Sequence, residues 1–188
     1  MWFLKKKFKS VDEVLEFVSK YTAQDKYEKA HKILSDAIHI FQCDEIYESK
    51  ILKIHGGSEG DILQNISDID IARLYNERGA IARNLYIKYH NQGESFYSNN
   101  AYLGSIKDYR MATDFDPMNW RAWFNWANLY ARDSNSSLDL ALEYYHKALK
   151  INPNYSDIYN NMGLLYDEFG DVIRAQECYE KASKAHEL

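Results

Sequence analysis

Two prolines constrain what this chain can fold into more than any other feature. Pro117 and Pro153 are the only prolines in the sequence, and they stand 36 residues apart. Each closes a similar phrase: Ala112, Phe115, Pro117, and then Ala148, Ile151, Pro153. Upstream of the second phrase, Ala141, Tyr145 and Ala148 follow one another in steps of four and three. The same steps recur at Ala175, Tyr179, Ala182 and at Ser105, Tyr109, Ala112. The segments before them match as well, Trp123, Trp126, Ala127 and Tyr130 being echoed by Tyr159, Met162, Gly163 and Tyr166. A repeat of this length marks a stack of small units, none of which buries its apolar face alone.

Steps of three and four place the repeated residues on one face of a helix. Proline cannot continue the hydrogen-bond ladder, so each proline ends a second helix and bends the chain into the next unit. Small residues at Ala127, Ala141, Ala148, Gly163, Ala175 and Ala182 let paired helices approach closely, while the aromatic side chains fill the space between turns. With 8 Gly and 2 Pro in 188 residues, breakers are too few for a sheet-rich fold. The 16 Tyr suit helix seams and binding surfaces, because the ring packs while the hydroxyl stays wet. The pattern predicts an all-α chain of about seven to nine helices.

An aromatic, a small residue and a Tyr in one helix, followed by Ala, aromatic, Ala and Pro in the next, is the order seen across residues 119–186, and there the chain closely resembles the tetratricopeptide repeat family. The resemblance implies a right-handed α-solenoid of about four helix hairpins, the first ones degenerate. The expected layout is a basic tail over 1–9, a degenerate hairpin over 10–43 and a connector over 44–67. A hairpin with a long first helix and a loop insertion follows over 68–118, then repeats over 119–155 and 156–188.

Toward the N-terminus the match loosens. Ser10 and Glu13 form a capping box ahead of an apolar stripe at Val11, Val14, Leu15, Val18 and Tyr21. Tyr27, Ala30, Leu34, Ala37 and Ile40 mark the partner helix, with no proline to close it. Glu45–Ile54 is compatible with a helix, and the glycines around His55–Gly60 read as a connector rather than a phosphate cradle, since no Lys-Ser/Thr follows. From Asp68, taken as the helix cap, a stripe runs through Ile71, Tyr75, Gly79, Ala82, Tyr86 and Tyr89 to Gly93. Two registers are open on it, one beginning a repeat at Leu74 and Tyr75 and one closing a repeat at Leu85, Tyr89 and Gly93. Glu94–Asn100 reads as an insertion before a partner helix that starts at Tyr102, and Ser134–Ser137 as a smaller one.

The function classes narrow by elimination. A net charge of −5 argues against a general nucleic-acid binder, which needs excess cations to displace counterions from phosphates. Lys5, Lys6, Lys7 and Lys9 follow Met1–Leu4 in the wrong order for a signal peptide. No stretch reaches the ~18 apolar residues that span a bilayer. Cys43 and Cys178 lack metal-type spacing, so a reduced cytoplasmic protein is expected. The six histidines are scattered, and no nucleophile elbow or zinc motif occurs. Asp61, Asp68 and Asp70 offer carboxylates for a cation, but Asp68 is better read as the cap of the long helix. No enzyme, cofactor or metal is expected.

What the resemblance implies is a partner held along the first helices of the pairs. On residues 119–132 the stripe Arg121, Phe124, Asn128 and Arg132 lies beside a packing stripe of Trp123, Trp126 and Tyr130. Its counterpart in the last repeat is Asp157, Asn160, Leu164 and Glu168. In the earlier register of the long helix it is Arg73, Asn76, Ala80 and Arg83. The expected groove is basic in the middle and acidic toward the C-terminal end, suited to a protein or peptide partner with acidic residues. Family members that grip an acidic C-terminal tail use a clamp of Lys, Asn, Asn, Lys and Arg. Asn125 and Asn128 match its amides, but Asp157 and Asn161 stand where cations belong, so no chaperone-tail binding is expected. The leading expectation is an adaptor or scaffold. A dedicated chaperone for a secreted or membrane-inserting client, and RNA binding through the central arginines, are the alternatives, with self-association left open.

Overall fold

The computed structural model describes residues 10–55, 67–132 and 138–186, with side chains described over 10–41, 67–132 and 138–185. The basic tail, the Gly-rich connector, Asp61, the Ser134–Ser137 insertion and the side chain of Cys43 lie outside the described residues. Among the described residues there are eight helices and no strand. They are α1 (Val11–Thr22), α2 (Tyr27–His55), α3 (Asp68–Asn91), α4 (Ser95–Phe115), α5 (Trp120–Ala131), α6 (Leu138–Ile151), α7 (Ser156–Glu168) and α8 (Val172–His186). The fold class is all-α, of the α-solenoid kind. The chain divides into two compact units, Met1–Asp108 and Tyr109–Leu188.

In the first unit, α1 starts as its sequence dictates: the Ser10 side chain accepts from the Glu13 N–H at 3.3 Å. Val11, Val14 and Val18 are buried along one face, and α2 returns Ala30, Leu34, Ala37, Ile38 and Ile40 to meet them. Helix α2 continues to His55, so helical backbone crosses residue 43 and takes up much of the segment assigned to a connector. The cap of α3 is Ser67 rather than Asp68. Ser67 has extended backbone and its hydroxyl accepts from the Asp70 N–H at 3.2 Å, whereas Asp68 is already helical.

The largest departure from the sequence reading is at the α3–α4 hairpin. Helix α3 ends at Asn91, and Gly93, with φ of 74°, supplies the left-handed residue that turns the chain; glycine adopts this conformation without the clash a Cβ would bring. Helix α4 then begins at Ser95. Residues 94–100 are therefore not a loop inserted before Tyr102. From Ser95 on they are extra helical turns, matched by extra turns in α3 and held by aromatic pairs, Tyr89 with Tyr97 at 5.5 Å and Tyr86 with Tyr102 at 5.4 Å. Ser98 is buried between the arms.

Lower in the hairpin, Arg78 makes a two-pronged ion pair with Asp108, Nε to Oδ2 at 2.9 Å and Nη2 to Oδ1 at 2.7 Å, and its Nη1 donates to Ser35 Oγ. This pair fixes the register. Asp108 precedes Tyr109 as Tyr144 precedes Tyr145, and Tyr144 stacks on Trp126, so Arg78 stands where Trp126 stands. That is the earlier of the two registers. Burial, and then the Arg78 charge, hold the nearby His31 imidazole below its ordinary pKa of 6.5, while burial pushes the Glu77 carboxyl up.

The second unit is built on the small residues. Ala112, Ala127, Ala141, Ala148, Gly163, Ala175 and Ala182 are all buried. At Gly163 the helices come so close that a Cβ added there would lie 2.5 Å from Tyr179 Cε1. Tyr179 is held in place at its other end, its hydroxyl donating to Asp167 Oδ2 at 2.7 Å. Asn119 caps α5 by accepting from the Ala122 N–H, and the Trp123 indole N–H donates to the Pro117 carbonyl at 3.0 Å, tying the proline turn to the helix it starts. The expected packing stripe of α5 is only partly the core. Trp126 is buried, but Trp123 and Tyr130 are half-buried and stack with Trp126 and Tyr144 into an aromatic layer, while Ala122 and Leu129 fill the interior. Cys178 is a buried free thiol, its pKa raised by that burial.

Two stability outcomes follow from these contacts. Asp108→Ala leaves the Arg78 charge unpaired in a site where Asp108 is only 4% exposed, and is expected to cost about 3–5 kcal/mol. Replacing both residues with Met and Leu restores most of that loss, and urea unfolding of the single and double variants measures both. Gly163→Ala is expected to lower stability by about 1–3 kcal/mol through overpacking against Tyr179; an unmoved urea midpoint refutes the crossing described here.

Candidate partner-binding face

The residues expected to line a groove fall in both units, and the structure treats them differently. In the first unit Arg73 is already engaged. Arg73 donates to Asp12 Oδ1 at 2.6 Å and to Asp70 Oδ1 at 3.2 Å, joining α3 to α1. The Asp12 hydrogen bond is the main reason its pKa is raised. Asn76 and Ala80 are half-buried, and Arg83 buries its Nε with no hydrogen-bond acceptor. The Arg73 charge is thus largely answered within the unit. Asp70, considered with Asp61 and Asp68 for a cation, is occupied by Arg73 and Ser67.

In the second unit two exposed rows run along neighbouring first helices. On α5, Arg121 and Arg132 are exposed at the two ends, with Phe124 and Asn128 half-buried between them. On α7, Asp157, Asn160, Leu164 and Glu168 are all exposed, Leu164 at 61%. One polar contact bridges the rows. Asn128 Oδ1 accepts from Asn161 Nδ2 at 2.8 Å and from the Tyr145 hydroxyl at 2.6 Å. One carbonyl therefore joins α5, α6 and α7. With its oxygen taken twice, the Asn128 amide is held with Nδ2 as its remaining donor.

The N-terminal end of this face is aromatic. Tyr155 packs on Trp120 at 4.6 Å and edge-on to Phe124 at 5.6 Å, and Phe124 also leans on Tyr145. The Arg121 guanidinium lies over the Trp120 ring, 4.6 Å from its centroid. Burial, followed by a hydrogen bond with Asp157, raises the Tyr155 pKa, and the Arg121 charge works against that rise. Tyr155, Trp120, Tyr145 and Asn161 thus belong to the face, though stripe counting along the helices did not find them. Tyr155 lies just outside α7, and a helical period has no place for it. The Tyr145 hydroxyl belongs to a side chain whose spacing marks it as core.

Among the described residues, no cluster of His, Cys, Asp and Glu is arranged to hold a metal ion. No described helix is long and apolar enough to cross a membrane.

Paired helices with small residues at each crossing, a proline turn between pairs and a polar face along the first helices define a helical-repeat protein. The tetratricopeptide repeat family profile matches residues 144–177, and over that stretch the chain is similar to the tetratricopeptide repeat. Curated relatives agree over about half of the chain. Photosystem I assembly protein Ycf3 of Cyanophora paradoxa is 28% identical over 103 residues, 50% of this chain and 60% of that protein. Anaphase-promoting complex subunit 3 of Schizosaccharomyces pombe is 27% identical over 96 residues, 51% of this chain but 14% of that protein. The chain thus spans less than two thirds of either relative. Among solved structures, MamA is similar with a TM-score of 0.59 and 18% identity, over 98% of this chain and 83% of that one. The C-terminal TPR-containing domain of a Plasmodium falciparum FK506-binding protein follows with a TM-score of 0.53 and 18% identity, over 91% and 95%. At these identities the structural likeness speaks to fold alone.

Because Asn128 Oδ1 accepts from two donors, its loss is a structural event. Asn128→Ala removes the acceptor that the Tyr145 hydroxyl uses at 2.6 Å, in a residue only 1% exposed, and is expected to cost about 1–3 kcal/mol. Thermal melts of Asn128→Ala and Tyr145→Phe test this, the latter expected to be the milder change; a parental melting temperature for Asn128→Ala removes the amide from the account.

Proposed function

We propose that the chain is a non-enzymatic adaptor that holds a segment of another protein against the α5–α7 face of its second unit. One observation carries this reading: neighbouring first helices present rows of charged, amide and apolar side chains that are exposed or half-buried, while every small residue at their crossings is buried. A row that only kept the protein in solution has no need of Leu164 and Phe124 among its charges. Acidic groups on the partner answer Arg121 and Arg132. A reducing, cytoplasmic setting belongs to the same reading, with Cys178 buried as a free thiol.

A second reading, an assembly factor or chaperone devoted to one client, is favoured by the similarity to Ycf3, a photosystem I assembly protein. Affinity recovery followed by mass spectrometry separates the two: several partners indicate an adaptor, and one dominant client indicates a chaperone. Recovery lost on nuclease treatment overturns both in favour of nucleic acid.

The double variant Arg121→Glu, Arg132→Glu tests the face itself. Both side chains are exposed, so stability is expected to change by no more than ~0.5 kcal/mol. Binding of the recovered partner is expected to fall at least about tenfold, as like charges repel across the interface. Calorimetric titration beside melting curves reads both, and equal affinity moves the site elsewhere. Phe124→Ala is the less clean probe, because Phe124 also packs on Tyr145 and Tyr155.

A further inference from the structure

The two rows of the second unit are opposites in register. Arg121 on α5 corresponds in the repeat to Asp157 on α7, and Arg132 corresponds to Glu168. Between these ends, Phe124 and Asn128 correspond to Asn160 and Leu164. Charges of one sign thus flank one edge of the face, and charges of the other sign flank its other edge, with Phe124 and Leu164 offering apolar surface between them. The Asn128–Asn161 bond holds the two edges together as a floor. No ion pair within the described residues neutralises any of the four charges. Each row has the spacing i, i+3, i+7, i+11, a length of about 16 Å along the helix axis.

A ligand that answers both edges at once has to present three rows of side chains: anions on one flank, cations on the other, and apolar groups underneath. An extended strand has side chains on two faces only, and its unpaired backbone would depend for hydrogen bonds on the few amides of the floor. A helix meets its own backbone bonds and displays three rows with the same period as α5 and α7.

Resting on the adaptor reading above, we propose that the occupant of this face is an amphipathic helix of the partner. It lies along α5 and α7, with an apolar stripe seated between Phe124 and Leu164, carboxylates on the flank facing Arg121 and Arg132, and Lys or Arg on the flank facing Asp157 and Glu168. Turning such a helix end for end exchanges its flanks, so charge reversal of both rows together preserves recognition, whereas reversal of one row changes which helix is preferred.

The test uses three fluorescein-labelled, lactam-stapled peptides of about 16 residues, a helix of about 24 Å. All carry the same leucine stripe, and the flanks are Glu and Lys, Glu and Glu, or Lys and Lys. Fluorescence anisotropy is read against the full chain, against Arg121→Glu with Arg132→Glu, and against Asp157→Arg with Glu168→Arg; dichroism melts establish that each variant is folded. The parent is expected to prefer the mixed peptide by about tenfold. The first variant should shift its preference to the Lys–Lys peptide, the second to the Glu–Glu peptide, and the variant carrying all four changes should return to the mixed one. The same order of preference in every protein, or no binding of the mixed peptide to the parent, overturns the proposal. So does equal binding of an unstapled mixed peptide interrupted by proline, since the helix is then not what is recognised. A recovered partner that depends on the α5 row but ignores the α7 row leaves the adaptor reading standing and sinks the helical ligand alone.

Discussion

Two helices can lie within a ring's thickness of each other only where one of them has no side chain to spare. In the second unit that condition is met at Gly163, with the Tyr179 ring lying where a Cβ would be. Alanines, all buried, stand at the other crossings. Everything else in the unit depends on this closeness. It lets Ile158, Met162 and Leu165 reach a common interior, and it sets α5 and α7 near enough for one amide to accept from another. A larger residue at a crossing disturbs packing first and the spacing of the exposed rows next, because tightly packed interiors pass strain on rather than absorb it.

The first unit reaches order by other means. Its crossing position in α3, the equivalent of Trp126, is Arg78, and the space between helices is filled by an ion pair instead of stacked rings. A buried pair is a weak source of stability but a strict one, since it tolerates only the partner that completes it. The same substitution explains why the repeat signature fades on this side of the chain: an Arg–Asp pair does for α3 and α4 what aromatic residues do for α5 and α6, and a search for aromatic spacing passes over it.

The second unit was largely legible in the sequence because its signals are local. Proline positions and the recurring Ala and Tyr each report on a single helix or turn, as the Ser10–Glu13 box does in the first unit. What was not legible depends on pairing. The segment 94–100 looks like a loop through its run of Asn and Ser, which compete with helix when exposed, yet from Ser95 on the aromatic rings of the opposite arm hold it helical. Ser67 and Asp68 are both good caps, and only the backbone angle decides between them. At the candidate face, periodicity found Arg121, Phe124, Asp157 and Leu164 correctly as exposed or half-exposed. It could not show that Arg73 is bound to Asp12, a residue 61 positions away, or that Asn128 is a joint rather than a free contact.

That joint also bears on how the sequence can drift. Asn128, Tyr145 and Asn161 sit in three different helices, and none has a reason of its own to be polar. Tyr145 is at a core position, and the two asparagines are at positions that tolerate many residues on a solvated helix. Once one carbonyl accepts from both neighbours, each of the three becomes conditional on the other two. A hydrophobic residue at 128 is acceptable only if 145 has already lost its hydroxyl, and 161 is released only when 128 no longer needs orienting. Change at these sites is expected to come in sets, through narrow intermediates, while the charged ends of the two rows remain free to vary with the partner they meet.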